Sequence, residues 1–169
     1  EYSQEKIMKQ MQGIYEVNWD ADQQVVIAQP FMSYVVHDAV AQSGLADLLP
    51  DLYPRWGQFF EGGYDTIGEC WGWGTHVHGW SCTPTRDMIF YTLGVMPSEP
   101  GYTRVRIEPH LGRLLWAKGV VPSPHGLIEV EVTPDVLTFT SPVPAIVAFA
   151  GREPLELPAG HHKVFAHLD

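Results

Sequence analysis

The feature that most constrains the fold is a change of hydrophobic period near residue 100. Before it the apolar residues recur at helical spacing; after Pro97 they alternate every second position. In the first part Ser3 can cap a helix running to Gln10 or beyond, with Ile7, Met8 and Met11 on one face. Pro30 suits the first turn of a second helix, where its missing N–H costs nothing, and Gly44 suits its end. Phe31, Tyr34, Val35, Asp38 and Ala39 fall between them. Pro50 and Pro54 interrupt the next apolar stretch, which predicts a short turn and then a helix from about Pro54 to the Gly62-Gly63 stop. Thr83-Pro84 reads as the N-cap and first-turn pair of a fourth helix containing Met88, Phe90, Tyr91 and Leu93.

In the second part Val105 and Ile107 alternate with Arg104, Arg106 and Glu108, and Ile128, Val130 and Val132 alternate with Glu129 and Glu131. Segments 136–140, 145–150 and 163–167 complete a set of short strands between Pro and Gly turns. That pattern predicts an antiparallel sandwich with one wet face. Helices followed by strands argue for an α+β chain of two units, 1–98 and 99–169, rather than an alternating α/β fold.

With 45% apolar and 18% charged residues, the 169-residue chain can bury a core. Its formal charge of -10 repels phosphate and anionic lipid, so neither nucleic acid nor a membrane is a favoured partner. No stretch is apolar for long enough to span a bilayer. Cys70 and Cys82 make no disulfide framework; they could form one bridge or equally remain two free buried thiols. The N-terminus, Glu-Tyr-Ser-Gln-Glu, has neither Met nor a signal peptide and reads as an interior cut through a longer chain, so no compartment follows from it.

Residues 62–85 form an inter-helix loop dense in Gly, Trp and His, with Trp71, Trp73 and Trp80 inside ten residues. Long, aromatic-rich connections are candidates for function. Sugars present apolar faces that stack on indole and hydroxyl rims that need carboxylates and imidazoles; Glu69, Asp65, His76, His78 and the tryptophans supply both kinds of group. From residue types alone this is a site for a carbohydrate or another small polar ligand. Glu69 could equally cap a helix or pair with Arg86, and Asp65 is a natural turn former beside Gly63. Trp19, Trp56 and Trp116 read as packing residues, and His125, His161 and His162 as turn residues. Cys70, His76, His78 and Cys82 are spaced Cys-x5-His-x-His-x3-Cys, which matches no common zinc arrangement, so no metal is expected.

The segment Asp65-Thr66-Ile67-Gly68-Glu69-Cys70-Trp71 resembles the Thr-x-x-Glu-x-Trp signature of family 78 glycoside hydrolases, the α-L-rhamnosidases. The later pieces follow in the same order: His78-Gly79-Trp80-Ser81, Thr83-Pro84, Leu93-Gly94-Val95-Met96-Pro97, Pro100-Gly101-Tyr102, Ile107-Glu108-Pro109, Ala117-Lys118-Gly119 and Pro124-His125-Gly126. The resemblance implies the last helices of an (α/α)6 barrel followed by a C-terminal β-sandwich. It implies hydrolysis of terminal α-L-rhamnosides with inversion, Glu69 as the general base, and sugar contacts from Asp65, Trp71, Trp73, His78 and Trp80. Inverting enzymes use two carboxyl groups roughly 6.5–9.5 Å apart. The family's acid lies in an earlier acidic motif, which no segment before Glu69 matches; Asp38, Asp47 and Asp51 are not candidates. Gly68 stands where that family often has a bulky residue. No cofactor is implied. Two other readings are a non-catalytic or weakly sugar-binding fragment and a different glycosidase on the same toroid, such as an α-L-fucosidase. Four helices cannot close a toroid of twelve, so an open barrel edge is expected to favour self-association.

Overall fold

A computed structural model describes residues 28–166, which fall into two compact units. The first combines residues up to 45 with 55–83; the second combines 46–54 with the residues from 84 onward. The helix expected from Ser3, and Trp19, lie outside the described residues.

In the first unit Pro30–Met32 makes a 3-10 turn that leads into α1 (Ser33–Val40). Gln29 is extended ahead of it, and its carbonyl accepts both the Met32 amide at 2.9 Å and the Ser33 hydroxyl at 3.0 Å. The first of these bonds occupies a backbone donor that a helix start leaves unpaired. Ser33, His37 and Val40 bury one stripe, and the His37 ring meets Trp56 edge-on at 5.8 Å. A wide π turn, Ala41–Leu45, ends the helix, with Gly44 at φ 77, a conformation that costs glycine nothing.

The stretch from 46 to 61 is more helical than its prolines suggest. It runs as a 3-10 turn (Ala46–Leu48), α2 (Leu49–Leu52), a second 3-10 turn (Tyr53–Trp56) and α3 (Gly57–Glu61). Pro50 sits in the first turn of α2, and tighter 3-10 turns before and after it let the chain pass without a break. The fourth helix, α4 (Thr83–Asp87), is extended by a π turn, Met88–Thr92. Thr83 is not its cap. It is already the first helical residue, and its buried hydroxyl finds no hydrogen-bond partner among the described residues.

The second unit holds two four-stranded sheets. One is ordered β1 (Val95–Pro97), β2 (Val105–Ile107), β6 (Ala145–Val147), β7 (Leu155–Leu157). The other is ordered β3 (Ala117–Ser123), β4 (Gly126–Val132), β5 (Val136–Ser141), β8 (Gly160–Phe165). Alternation is read out directly in β4: Ile128, Val130 and Val132 are buried, while Glu129 and Glu131 face water. Val130 lies opposite Phe139, and Val132 opposite Leu137. These side chains join Val95, Val105, Ile107, Ala145 and Val147 in a single core drawn from both sheets. Burying a side chain the size of Ile128 or Leu137 contributes about 1.5–3 kcal/mol.

The chain is therefore α+β with antiparallel-rich sheets, but the sandwich is not wholly antiparallel. β2 and β6 run parallel, Val105 beside Ala145 and Ile107 beside Val147. The chain leaves the first sheet after β2, builds β3 to β5 in the second, and re-enters the first in the same direction. His161 and His162 lie in β8 rather than in a turn, opposite Thr140 and Phe139. Trp116 is not a packing residue: it is 65% exposed, next to exposed Leu114 and Leu115 in the connection before β3.

Candidate functional site

The expected site residues all lie in the first unit, on a loop that doubles back on itself. The Glu69 amide donates to the Thr75 carbonyl at 2.8 Å, and the His78 amide donates to the Ile67 carbonyl at 2.9 Å. The Thr66 hydroxyl reaches the His76 carbonyl. Residues 66–69 and 75–78 thus run side by side, and 70–74 form the tip. Gly72 and Gly74 take φ 83 and φ 88, the left-handed conformations that turn the tip back.

Glu69 sits at the base of this tip. Its carboxylate Oε2 accepts the Thr75 hydroxyl at 3.2 Å and the Thr75 amide at 3.4 Å. Its carbonyl accepts the Phe31 amide at 3.3 Å, which ties the loop to the turn that opens α1. The side chain is half-buried. Arg86, the alternative partner considered from sequence, bonds Asp87 at 2.7 Å. Next to Glu69 the Cys70 thiol is buried, and that burial, then the charge of Glu69, pushes its pKa up; a thiol so placed is not an activated nucleophile.

The three loop tryptophans are held differently. Trp71 is clamped: its amide donates to Gln29 Oε1 at 2.9 Å and its indole Nε1 to the Ala28 carbonyl at 2.8 Å. The ring stacks on Phe59 at 5.5 Å, meets Trp56 edge-on at 5.1 Å, and carries the Arg55 guanidinium over its face at 4.6 Å. Trp73 is 64% exposed and Trp80 is 66% exposed. Trp80 stacks on Tyr34 of α1 at 6.1 Å, so one face is braced and the rest meets solvent. Exposed indoles are unusual on a packed loop and offer flat apolar surfaces to a ligand.

His78 is half-buried beside Phe31, with ring centroids 6.4 Å apart, and its Nε2 is buried without a hydrogen-bond partner among the described residues. Phe31 therefore touches the loop twice, through its amide at Glu69 and its ring at His78. His76 lies outside, stacked on Tyr64 at 4.2 Å. Asp65 is exposed at the start of the loop. Thr75, Gln29, Phe31 and Tyr34 are further neighbours of the loop, and nothing in their residue types marks them as such. The one sequence signal for Thr75 is its place directly after Gly74. Among the described residues no group of three or more His, Cys, Asp or Glu comes close enough to hold a metal ion. No helix among them is long and apolar enough to cross a membrane.

A separate apolar cavity of about 770 Å³ lies in the second unit. Its lining includes Tyr53, Met88, Leu93, Leu114, Trp116 and Val120 and, among the described residues, gathers no carboxylate or imidazole.

Comparison with known proteins agrees with the resemblance read from the sequence. Residues 94–149 match the family model described as the bacterial alpha-L-rhamnosidase C-terminal domain. The fold is similar to part of the α-L-rhamnosidase of Dictyoglumus thermophilum, with a TM-score of 0.73 and 17% identity over 96% of this chain. It is similar also to the native enzyme of Aspergillus terreus, with a TM-score of 0.70 and 18% identity over 95% of this chain. The GH78 rhamnosidase of Bacillus sp. GL1 gives a TM-score of 0.65 and 22% identity over 88%. This chain spans 23%, 21% and 17% of those three proteins respectively, about a fifth of their length. No curated protein matches the sequence.

Proposed function

We propose that this chain is the C-terminal portion of an inverting α-L-rhamnosidase and carries the general base, Glu69. In this reading residues 1–98, apart from β1 (Val95–Pro97), are the last helices of an (α/α)6 barrel, and 99–169 together with β1 its C-terminal sandwich. The parent protein hydrolyses terminal α-L-rhamnosides: a carboxylic acid from upstream of Glu1 protonates the leaving oxygen while Glu69 takes a proton from the attacking water on the opposite face. Asp65 and His78 bond the sugar hydroxyls. Trp73 and Trp80 stack on its apolar faces, and Trp71 forms the wall behind them. The partner is thus a rhamnose-containing glycoside, and the isolated chain self-associates through the open barrel edge.

The observation that carries this reading is the setting of Glu69. It is a half-buried carboxylate at the base of a loop tip that bears Trp71 and Trp73, bonded among the described residues through one oxygen to Thr75. The likeness of fold to α-L-rhamnosidases, and the family match over residues 94–149, support the substrate class.

The test is Glu69→Gln in the intact protein, assayed on an aryl α-L-rhamnoside. Removal of a general base is expected to slow turnover by roughly 10²–10⁴-fold, while calorimetry still registers L-rhamnose binding. Wild-type turnover by this variant would sink the assignment. A panel of aryl glycosides separates rhamnosides from fucosides and gluco-configured sugars.

A further inference from the structure

We propose that Thr75 is the positioning residue for the Glu69 carboxylate; this rests on Glu69 being the general base. The two residues are bonded three times over. The Glu69 amide donates to the Thr75 carbonyl at 2.8 Å, and the Thr75 hydroxyl and amide both donate to Glu69 Oε2, at 3.2 and 3.4 Å. Together these bonds close the five-residue tip 70–74 into a ring whose neck is the 69–75 pair.

A glutamate side chain has three rotatable bonds, and a loop glutamate ordinarily spreads over many rotamers. Here the backbone bond brings Thr75 alongside Glu69, and the two side-chain bonds then select one position for the carboxylate. Gly74 makes that position accessible. At φ 88 it carries no side chain, and a β-carbon there would stand 3.1 Å from Oε2 and 3.3 Å from the Glu69 β-carbon. Both donors fall on Oε2, and among the described residues Oε1 accepts no hydrogen bond, which leaves it as the oxygen that receives the proton of the water. A base aimed in advance contributes to the rate because the reacting atoms need no reordering at the moment of transfer. Thr75 does not touch the reacting atoms in this scheme; it acts through Glu69.

The test uses the intact protein and p-nitrophenyl α-L-rhamnoside. Thr75→Val keeps the shape and β-branching of the residue and removes the hydroxyl. It is expected to lower kcat roughly tenfold, the factor that goes with one lost hydrogen bond to a charged acceptor. KM and the unfolding temperature stay near their wild-type values. Thr75→Ser, which keeps the hydroxyl, is expected to restore most of kcat. A crystal structure of the valine variant is expected to show the Glu69 carboxylate turned away from residue 75 with Trp71 unmoved. Wild-type kcat in the valine variant, a loss confined to KM, a serine variant as slow as the valine one, or an unmoved carboxylate would each overturn the proposal. Glu69→Gln run alongside separates the two levels: full turnover in that variant removes the general base itself, whatever the Thr75 variants do.

Discussion

At Gly68 a β-carbon would stand 2.7 Å from the Phe59 ring, and Phe59 is the ring on which Trp71 stacks. Gly68 is thus matched to its neighbour. The ring fills the space that a side chain would take. Gly68→Ala is expected to destabilise the protein by about 1–3 kcal/mol, as overpacking does, read as a fall in the urea midpoint, and Phe59→Leu in the same chain is expected to recover part of it. An alanine variant as stable as wild type would mean that Phe59 moves freely. Residue type alone made Glu69, His78 and the tryptophans visible in the sequence, because carboxylate, imidazole and indole announce their chemistry. Thr75 and Phe31 were not visible. Their importance comes from backbone bonds across six and thirty-eight positions, and nothing in a threonine or a phenylalanine signals such a bond.

Among the elements, the helical stretch 46–54 is fastened to the rest of its unit by polar ties. The Tyr53 hydroxyl meets Thr92 Oγ1 at 3.2 Å, and Arg113 bonds Asp51 at 2.8 Å. Gly112 approaches so closely that a β-carbon would lie 2.2 Å from the Asp47 carbonyl oxygen. Burial, first of all, and the nearby Asp87 push the Tyr53 hydroxyl well above the tyrosine range, against the opposing effect of its bond to Thr92. The folded protein therefore favours the neutral phenol, while the unfolded chain ionises near its ordinary value of 10.0. The stabilisation is complete below that pH and is lost as the pH rises beyond it, because only the unfolded state gives up the proton. Stability is expected to fall steeply above about pH 10 in wild type and less steeply in Tyr53→Phe, measured by urea unfolding across that range. Parallel slopes for the two would remove Tyr53 as the cause.

Element starts and stops were legible where a residue can do only one thing. Pro30 opened a helix, Gly44 and Gly62 marked ends, and the Ile128–Val132 alternation marked a strand. β1 and β7 escaped notice because each is a three-residue strand hemmed in by proline, β1 ending on Pro97 and β7 lying between Pro154 and Pro158. β3 was hidden by Gly119 and Pro122, and Val120 is 54% exposed, so its apolar pattern does not follow one face. The parallel β2–β6 pair could not be read at all, since local alternation says nothing about which distant strand lies alongside.

For the molecule as a whole, the sequence foretold α+β from a single change of period. It could not say that residues 46–54 would cluster with the strand-bearing part of the chain, because that grouping depends on contacts some sixty positions apart. The tryptophans are distributed just as unevenly. Trp56 and Trp71 are enclosed by aromatic neighbours, whereas Trp73 and Trp80 stand in solvent on the loop and Trp116 stands in solvent in the other unit. This sorting gives the protein a built-in optical gauge. Iodide, which reaches only accessible indoles, is expected to quench the red-shifted part of the emission and spare the blue-shifted part. Saturating L-rhamnose should shield the two loop indoles and leave Trp116 quenchable. In a background with both Trp19→Phe and Trp116→Phe the iodide-sensitive light would then report the loop, and a quenching curve indifferent to the sugar would place the ligand elsewhere.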